Sequence, residues 1–174
     1  KGMTHKILDY SYASNEVRGY KNSQIAKNES NDCFVRAVAS ATGSNYDNAH
    51  EFVKTNFHRE DKKGTQFTSV IMMKLEEQGF NLEGKNFNVE VLPTKKITNQ
   101  YKLKGEVINR KKTVKSFMQT YPKGTFIVGV SGHAFTVQDG LLIDNAGEEF
   151  RPTRKVDSAF KITPEFTTNQ LSLF

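Results

Sequence analysis

The stretch SNDCFVRAVASATG, Ser30 to Gly43, contains the only cysteine among the 174 residues of the chain. Its apolar residues recur at the spacing of one helix face, which predicts an amphipathic helix built on Phe34, Val35, Val38 and Ala41. Gly43 ends this helix, and Asn31 or Asp32 is predicted to cap its beginning. Cys33 therefore lies in the first turn, where free N–H groups and the helix dipole lower the pKa of a thiol.

Helical patterns continue through the N-terminal half of the chain. A second helix is predicted over Asp47–Phe57, with Ser44 or Asp47 as its cap. A third is predicted over Thr68–Gln78 and ends at Gly79. Its apolar residues include Val70, Ile71 and Leu75, and its methionine pair, Met72 and Met73, is expected to pack in the core.

The C-terminal half shows the period-two alternation of strands. The pair Asp139-Gly140 is a strong signal for a two-residue hairpin turn. One short helix is predicted over Thr113–Tyr121, and the predicted strands are Phe87–Leu92, Thr125–Val130, His133–Gln138, Leu141–Asn145 and Val156–Ile162. Because the predicted helices come first and the antiparallel strands follow, the sequence indicates a single α+β domain over residues 3–174. Residues 1–2, which precede Met3, are interpreted as a cloning remnant.

The composition excludes several classes of protein. A lone cysteine cannot form an internal disulfide, and no cysteine pair has the spacing of zinc ligands. We therefore expect a cytoplasmic protein that needs no metal or other cofactor. No apolar run approaches the roughly 20 residues that cross a bilayer, so no membrane partner is expected.

Positive charge is concentrated in the middle of the chain, which has a formal net charge of +6. The segment Lys95–Lys112 holds seven Lys or Arg residues against one Glu. Two interpretations stay open for this segment. It is either a solvated surface stretch or a site for an anionic partner, in which Tyr101 would stack on a base.

A buried cysteine is often only a small apolar residue, so a reactive Cys33 requires a base nearby. Among the four histidines, His133 is the best placed, because it opens a strand after three small residues. Across the two-residue turn Phe135 faces Asp144, which puts Asp144 on the sheet face of His133 as its diagonal neighbour. That carboxylate would hold one imidazole nitrogen and leave the other for the thiol proton. A one-residue bulge would present Asn145 instead. Surface or capping roles are expected for the other histidines, His5, His50 and His58.

The block NDCFVRAVASATG, followed later by GTFIVGVSGHAFTVQDGLLIDN, resembles papain-like cysteine peptidases, most closely their compact bacterial and phage forms. The first block also resembles, more weakly, ovarian-tumour-type deubiquitinases. The resemblance implies a helical half packed on an antiparallel sheet, and the host cytoplasm as location if a phage encodes the protein. It further implies Cys33 as nucleophile, His133 as general base and then acid, and Asp144 as the residue that orients the imidazole.

Papain-type enzymes usually carry a Gln six residues before the cysteine to complete the oxyanion hole, and this chain has Lys27 there. The nearby amides of Gln24 and Asn31 are candidates to replace it, together with the backbone N–H of Cys33. Asn31 is equally well placed to serve only as a helix cap.

Two classes of function are compatible with these patterns. The first is a thiol-dependent hydrolase that cleaves an amide or isopeptide bond in a protein or peptide substrate. An acyltransferase or transglutaminase-like enzyme would use the same atoms. The second class is a non-catalytic papain-like module that binds nucleic acid or an acidic protein through Lys95–Lys112.

Overall fold

The computed structural model describes residues 4–7, 10–14, 17–144 and 150–165, with side chains from residue 17 onward. Its α-helices are α1 (Gln24–Lys27), α2 (Cys33–Thr42), α3 (Tyr46–Phe57), α4 (Ser69–Gln78) and α5 (Val114–Thr120). Gly43 ends α2 with a φ of 70°, a left-handed conformation that glycine adopts without strain. The helix predicted around Cys33 is therefore confirmed.

Two strands precede the four helices α1 to α4, and the other strands follow them, with α5 between the sixth and the seventh strand. They are β1 (Thr4–Ile7), β2 (Tyr10–Ser14), β3 (Phe80–Leu82), β4 (Lys85–Val91), β5 (Thr98–Leu103), β6 (Glu106–Lys111), β7 (Thr125–Val130), β8 (His133–Gln138), β9 (Leu141–Asp144) and β10 (Ser158–Pro164). Within the described residues, eight of them form one sheet in the order β1-β2-β9-β8-β7-β10-β4-β3. All neighbours from β9 to β3 are antiparallel, whereas β2 runs parallel to β9. The α+β class is confirmed.

The sheet separates two apolar cores, because neighbouring residues of a strand point to opposite faces. Ile127 of β7 packs with α2, α3 and α4 on one face, while Phe126 and Val128 pack with α5 on the other. Val35 and Val38 of α2 are completely buried in the first core. Burial of each contributes roughly 1.5–3 kcal/mol, which fixes α2 firmly on the sheet.

The cap of α3 differs from the prediction. Asn45 is the N-cap, and its side-chain oxygen accepts a hydrogen bond of 2.9 Å from the amide of Asp47. Ser44 precedes the cap and Asp47 already lies in the first turn, so neither satisfies the free amides in the predicted way.

The prediction that the methionine pair of α4 packs in the core is wrong for Met73, which is 71% exposed. Val70 of the same helix is 74% exposed, and only Leu75 is fully buried. Ile71 and Met72 are partly covered by the core. Helix α4 packs on β4 at the end of the sheet, so only one row of its side chains reaches the apolar interior.

The basic segment forms regular structure that the sequence patterns did not predict. After a 3-10 turn at Thr94–Lys96, strands β5 and β6 pair as an antiparallel hairpin separate from the main sheet. Lys104 and Gly105 form its two-residue turn with φ values of 51° and 83°. Most of the hairpin side chains are exposed.

Candidate active site

Cys33 is the first residue of α2. The residue before it, Asp32, is held in place by a contact with α3. Asp32 is the N-cap but makes no side-chain capping bond. Its carboxylate instead accepts a hydrogen bond of 2.6 Å from the buried hydroxyl of Tyr46 and lies 3.5 Å from Nε of Arg36. The first-turn amides of α2 are thus left without a side-chain cap, which preserves partial positive charge at Cys33.

A buried hydrogen bond fixes α2 against β8. The hydroxyl of Thr136, in the middle of β8, donates to the carbonyl oxygen of Ala37 at 2.8 Å. Thr136 has no exposed surface, so this bond is not weakened by water. It joins residues 99 positions apart and brings the helix that begins with Cys33 against the strand that begins with His133.

His133 and Asp144 meet through the register of β8 and β9. Thr136 pairs with Ile143, so the alternation of side chains puts His133 and Asp144 on one sheet face, as predicted from the two-residue turn. Nε2 of His133 lies 2.8 Å and 2.9 Å from the two carboxylate oxygens of Asp144. The side chain of Asp144 is 1% exposed and that of His133 is 17% exposed. Asn145, the alternative partner, lies outside the described residues.

The thiol and the imidazole perturb each other's protonation. Burial raises the pKa of Cys33, but hydrogen bonds with the His133 ring and with the backbone amides of Ala134 and Phe34 outweigh it, so the pKa is lowered from its ordinary value. Hydrogen bonds with Asp144 and then Cys33 raise the pKa of His133 to about 9, against the opposing effect of burial. Because Asp144 binds Nε2, the ring presents Nδ1 to the thiol. Both shifts favour a thiolate–imidazolium pair.

The pair opens into a cavity of about 300 Å³. Its walls come from the start of α2, the segment before α4, and the ends of β7, β8 and β10, and include Cys33, Phe67, Gly129, His133, Asp157 and Ser158. A second cavity of about 530 Å³ lies beside it, and Gly64 and Thr65 line both. Together the cavities provide room for several residues of a polypeptide on one side of the thiol.

The predicted side-chain donors of an oxyanion hole are not brought to this cavity. Asn31 uses its amide to donate to the carbonyl of Lys62 at 3.0 Å, and Gln24 lies exposed at the start of α1. The backbone N–H of Cys33 remains available in the first helical turn. Thr65, which sequence reasoning missed, has a buried hydroxyl without a hydrogen-bond partner in the cavity wall, where it suits a polar group of a bound substrate. No sequence pattern singles out this threonine.

A buried ion pair holds the segment that forms the far wall of the cavity. Arg59 donates to both carboxylate oxygens of Glu29 at 2.8 and 2.9 Å, and the backbone N–H of Lys62 donates to the same carboxylate at 2.8 Å. Burial tends to raise the pKa of Glu29, but the hydrogen bonds from Arg59, His50 and Lys62 lower it to about 2. The segment leading to Gly64 is thereby anchored to the chain that precedes Cys33.

The role expected for His50 on the surface or at a cap is wrong, because its ring is buried 2.6 Å from Glu29. Ligand atoms of Glu29, His50 and Asp61 lie within 4.8 Å of one another, a spacing compatible with a metal ion. However, the guanidinium of Arg59 already occupies the Glu29 carboxylate, and a second cation there would be repelled. The cluster therefore serves as an ion-pair anchor.

Comparison of the chain with protein-family models, with curated proteins and with solved structures finds no match. The chemistry of the site thus has to be inferred from its own geometry. In the part of the chain that the structure describes, no helix combines the length and the apolar character needed to cross a bilayer.

Proposed function

We propose that the protein is a papain-like thiol hydrolase that cleaves an amide or isopeptide bond in a protein or peptide. The observation that carries the proposal is that Cys33 of α2 and His133 of β8 meet at one cavity, with Asp144 of β9 bound to the far side of the His133 ring. A thiol at a helix start, an imidazole beside it and a buried carboxylate behind the ring form the geometric pattern of an activated nucleophile. The packing of α2 on β8 also supports the papain-like arrangement, in which helix and sheet contribute opposite sides of the site.

In the proposed reaction, the imidazole takes the thiol proton and the sulfur of Cys33 attacks the carbonyl carbon of the substrate. The carbonyl electrons move to oxygen, where the N–H of Cys33 stabilises the developing charge. Collapse of this intermediate breaks the C–N bond, and the imidazolium of His133 gives its proton to the leaving amine. Water, deprotonated by the imidazole, then hydrolyses the thioester and restores the thiol. Asp144 keeps the ring in place throughout.

The role of Cys33 is tested by alkylation with iodoacetamide at pH 6, followed by mass spectrometry. We expect Cys33 in the folded protein to react about tenfold faster than the same residue in the chain unfolded by guanidinium, because only the folded state holds it as thiolate. The variant His133→Ala should lose this advantage. A folded thiol that reacts more slowly than the unfolded one would identify Cys33 as a buried packing residue and refute the proposal.

Hydrolysis itself is tested by digestion of a peptide library, with Cys33→Ala as the control. Cleavage products that require Cys33 are expected, and their formation should decline above about pH 9, where His133 loses the proton needed by the leaving amine. Addition of a lysine-containing peptide at millimolar concentration separates hydrolysis from acyl transfer, because a transferase would form the new amide in preference to the acid. If no peptide is cleaved or transferred in a thiol-dependent manner, the proposal fails.

A further inference from the structure

The β5–β6 hairpin lies within the basic segment Lys95–Lys112. The segment Lys95–Lys112, with seven basic residues and one Glu, accounts for the whole formal net charge of +6 and leaves 18 basic and 18 acidic residues in the rest of the chain. Lys102, Lys104 and Arg110 are exposed, and no carboxylate of the described residues forms an ion pair with them. The hairpin therefore presents the charges of Lys102 and Lys104 to a partner, whereas the guanidinium of Arg110 lies 5.9 Å from the centre of the Tyr101 ring, on the face opposite Lys102.

The hairpin also has unpaired edges. Within the described part of the chain, β5 and β6 pair only with each other, so both outer edges expose backbone N–H and C=O groups. Each strand has six residues, which corresponds to a length of roughly 20 Å. Such an edge is a template for an added strand from another chain.

The faces of the hairpin combine apolar and basic side chains. Tyr101 and Leu103 are 51% and 52% exposed and lie on one face with Ile108, which is paired with Tyr101. Lys102 and its partner Val107, which is 58% exposed, lie on the other face. A strand in which acidic and apolar residues alternate complements both faces at once. A phosphate backbone would leave the apolar positions uncovered.

The base of the hairpin reaches the cavity of the candidate active site. Lys111, the last residue of β6, forms an ion pair of 2.6 Å with Asp157, and Asp157 lines the cavity together with Cys33. The base of the hairpin therefore lies beside the cavity that Cys33 lines.

We propose that the β5–β6 hairpin docks acidic segments of a polypeptide substrate, which add to one of its edges as a strand. This inference rests on the proposed hydrolase function and names the class of substrate. The carboxylates of the bound strand pair with Lys102 and Lys104, and its apolar residues cover Tyr101 and Leu103 on the opposite face. The bond to be cleaved lies outside the docked strand, in the cavity at Cys33.

The test measures binding of a fluorescein-labelled peptide of alternating Glu and Val residues by fluorescence anisotropy. All proteins carry Cys33→Ala, so the measurement is independent of thiol chemistry. The hairpin variant carries the further changes Lys102→Gln and Lys104→Gln. A control variant has the same change at two exposed lysines on other elements, Lys74 and Lys85. We expect about tenfold weaker binding in the hairpin variant and unchanged binding in the control.

Three results would overturn the inference. Equal weakening in both variants would show attraction by net charge alone. Equal affinity for a peptide methylated at alternate backbone nitrogens would exclude strand addition, which needs those donors. Tighter binding of oligothymidylate than of the peptide at the same salt concentration would assign the hairpin to nucleic acid. Peptide docking by a protein whose Cys33 is unreactive would refute the hydrolase and leave the docking surface in place.

Discussion

The contact between Asp144 and His133 gives the sharpest prediction, since a single isosteric change, Asp144→Asn, removes the carboxylate charge. The pKa of His133 is about 9 in the folded protein, against an ordinary 6.5, and Asp144 is the largest cause. That difference corresponds to about 3 kcal/mol. The hydrogen bond with Cys33 contributes a share, so loss of the carboxylate should cost about 2 kcal/mol of imidazolium stability.

The consequence is measured in two ways. Histidine-ring NMR should show the pKa of His133 falling most of the way back towards 6.5, and alkylation of Cys33 at pH 6 should slow by about tenfold to thirtyfold, because the thiolate loses its imidazolium partner. Asp157→Asn is the matched control. It removes a carboxylate from the same cavity, but that carboxylate pairs with Lys111 and has no described contact with His133.

The reasoning would be refuted if the pKa of His133 stayed near 9 in Asp144→Asn. It would also be refuted if Asp157→Asn lowered the pKa of His133 to the same extent, since the general field of the cavity, and not the direct contact, would then set the charge of the ring.

Further predictions concern the supports of the site. Thr136→Val removes the buried hydrogen bond to α2 at nearly constant volume. It should lower the free energy of unfolding by about 1 kcal/mol in urea titrations and slow the alkylation of Cys33. Unchanged alkylation would mean that packing alone aligns α2. The pKa of Glu29 is about 2 in the folded protein, against an ordinary value of 4.5. Ionised Glu29 therefore stabilises the folded state fully above pH 4.5, and this contribution is lost as the pH falls through about 2. After allowance for solvent screening this is worth about 1–2 kcal/mol. Glu29→Gln should flatten the acid-denaturation curve over that range, and a curve identical to that of the unmutated protein would contradict the anchoring role of the Arg59 ion pair.

The candidate triad was predictable because each member is specified by local patterns. The helix at Cys33 follows from apolar spacing and Gly43, and the register of His133 and Asp144 follows from a two-residue turn. The contact of the helix with the histidine strand was inferred only from resemblance to a family. No local rule contains it, because it depends on packing between residues about a hundred positions apart.

The far wall of the cavity was not predictable. Thr65 lies in an irregular segment whose position depends on the buried ion pair of Arg59 with Glu29. Charged residues usually lie on the surface, so neither member looks like a core residue in the sequence. His50 was misjudged for the same reason, since its burial follows from its partner and not from its neighbours in the chain.

The hairpin of the basic segment shows a different limit. Lys104 occupies a left-handed position that Asn, Asp or Gly usually takes in such a turn, so the usual signal was absent. The alternation of apolar and polar residues that marks a strand was hidden too. Exposed Tyr101 and Val107 lie on opposite faces of the β5–β6 hairpin, which has no buried face.

The bond from Thr136 to Ala37 has a consequence for biosynthesis. A ribosome releases the cysteine helix long before the strand that holds it, so the nascent chain carries an ordinary thiol until residue 144 has emerged. In the proposed hydrolase, a chain truncated before residue 144 would therefore carry its cysteine without the histidine–aspartate pair that activates it.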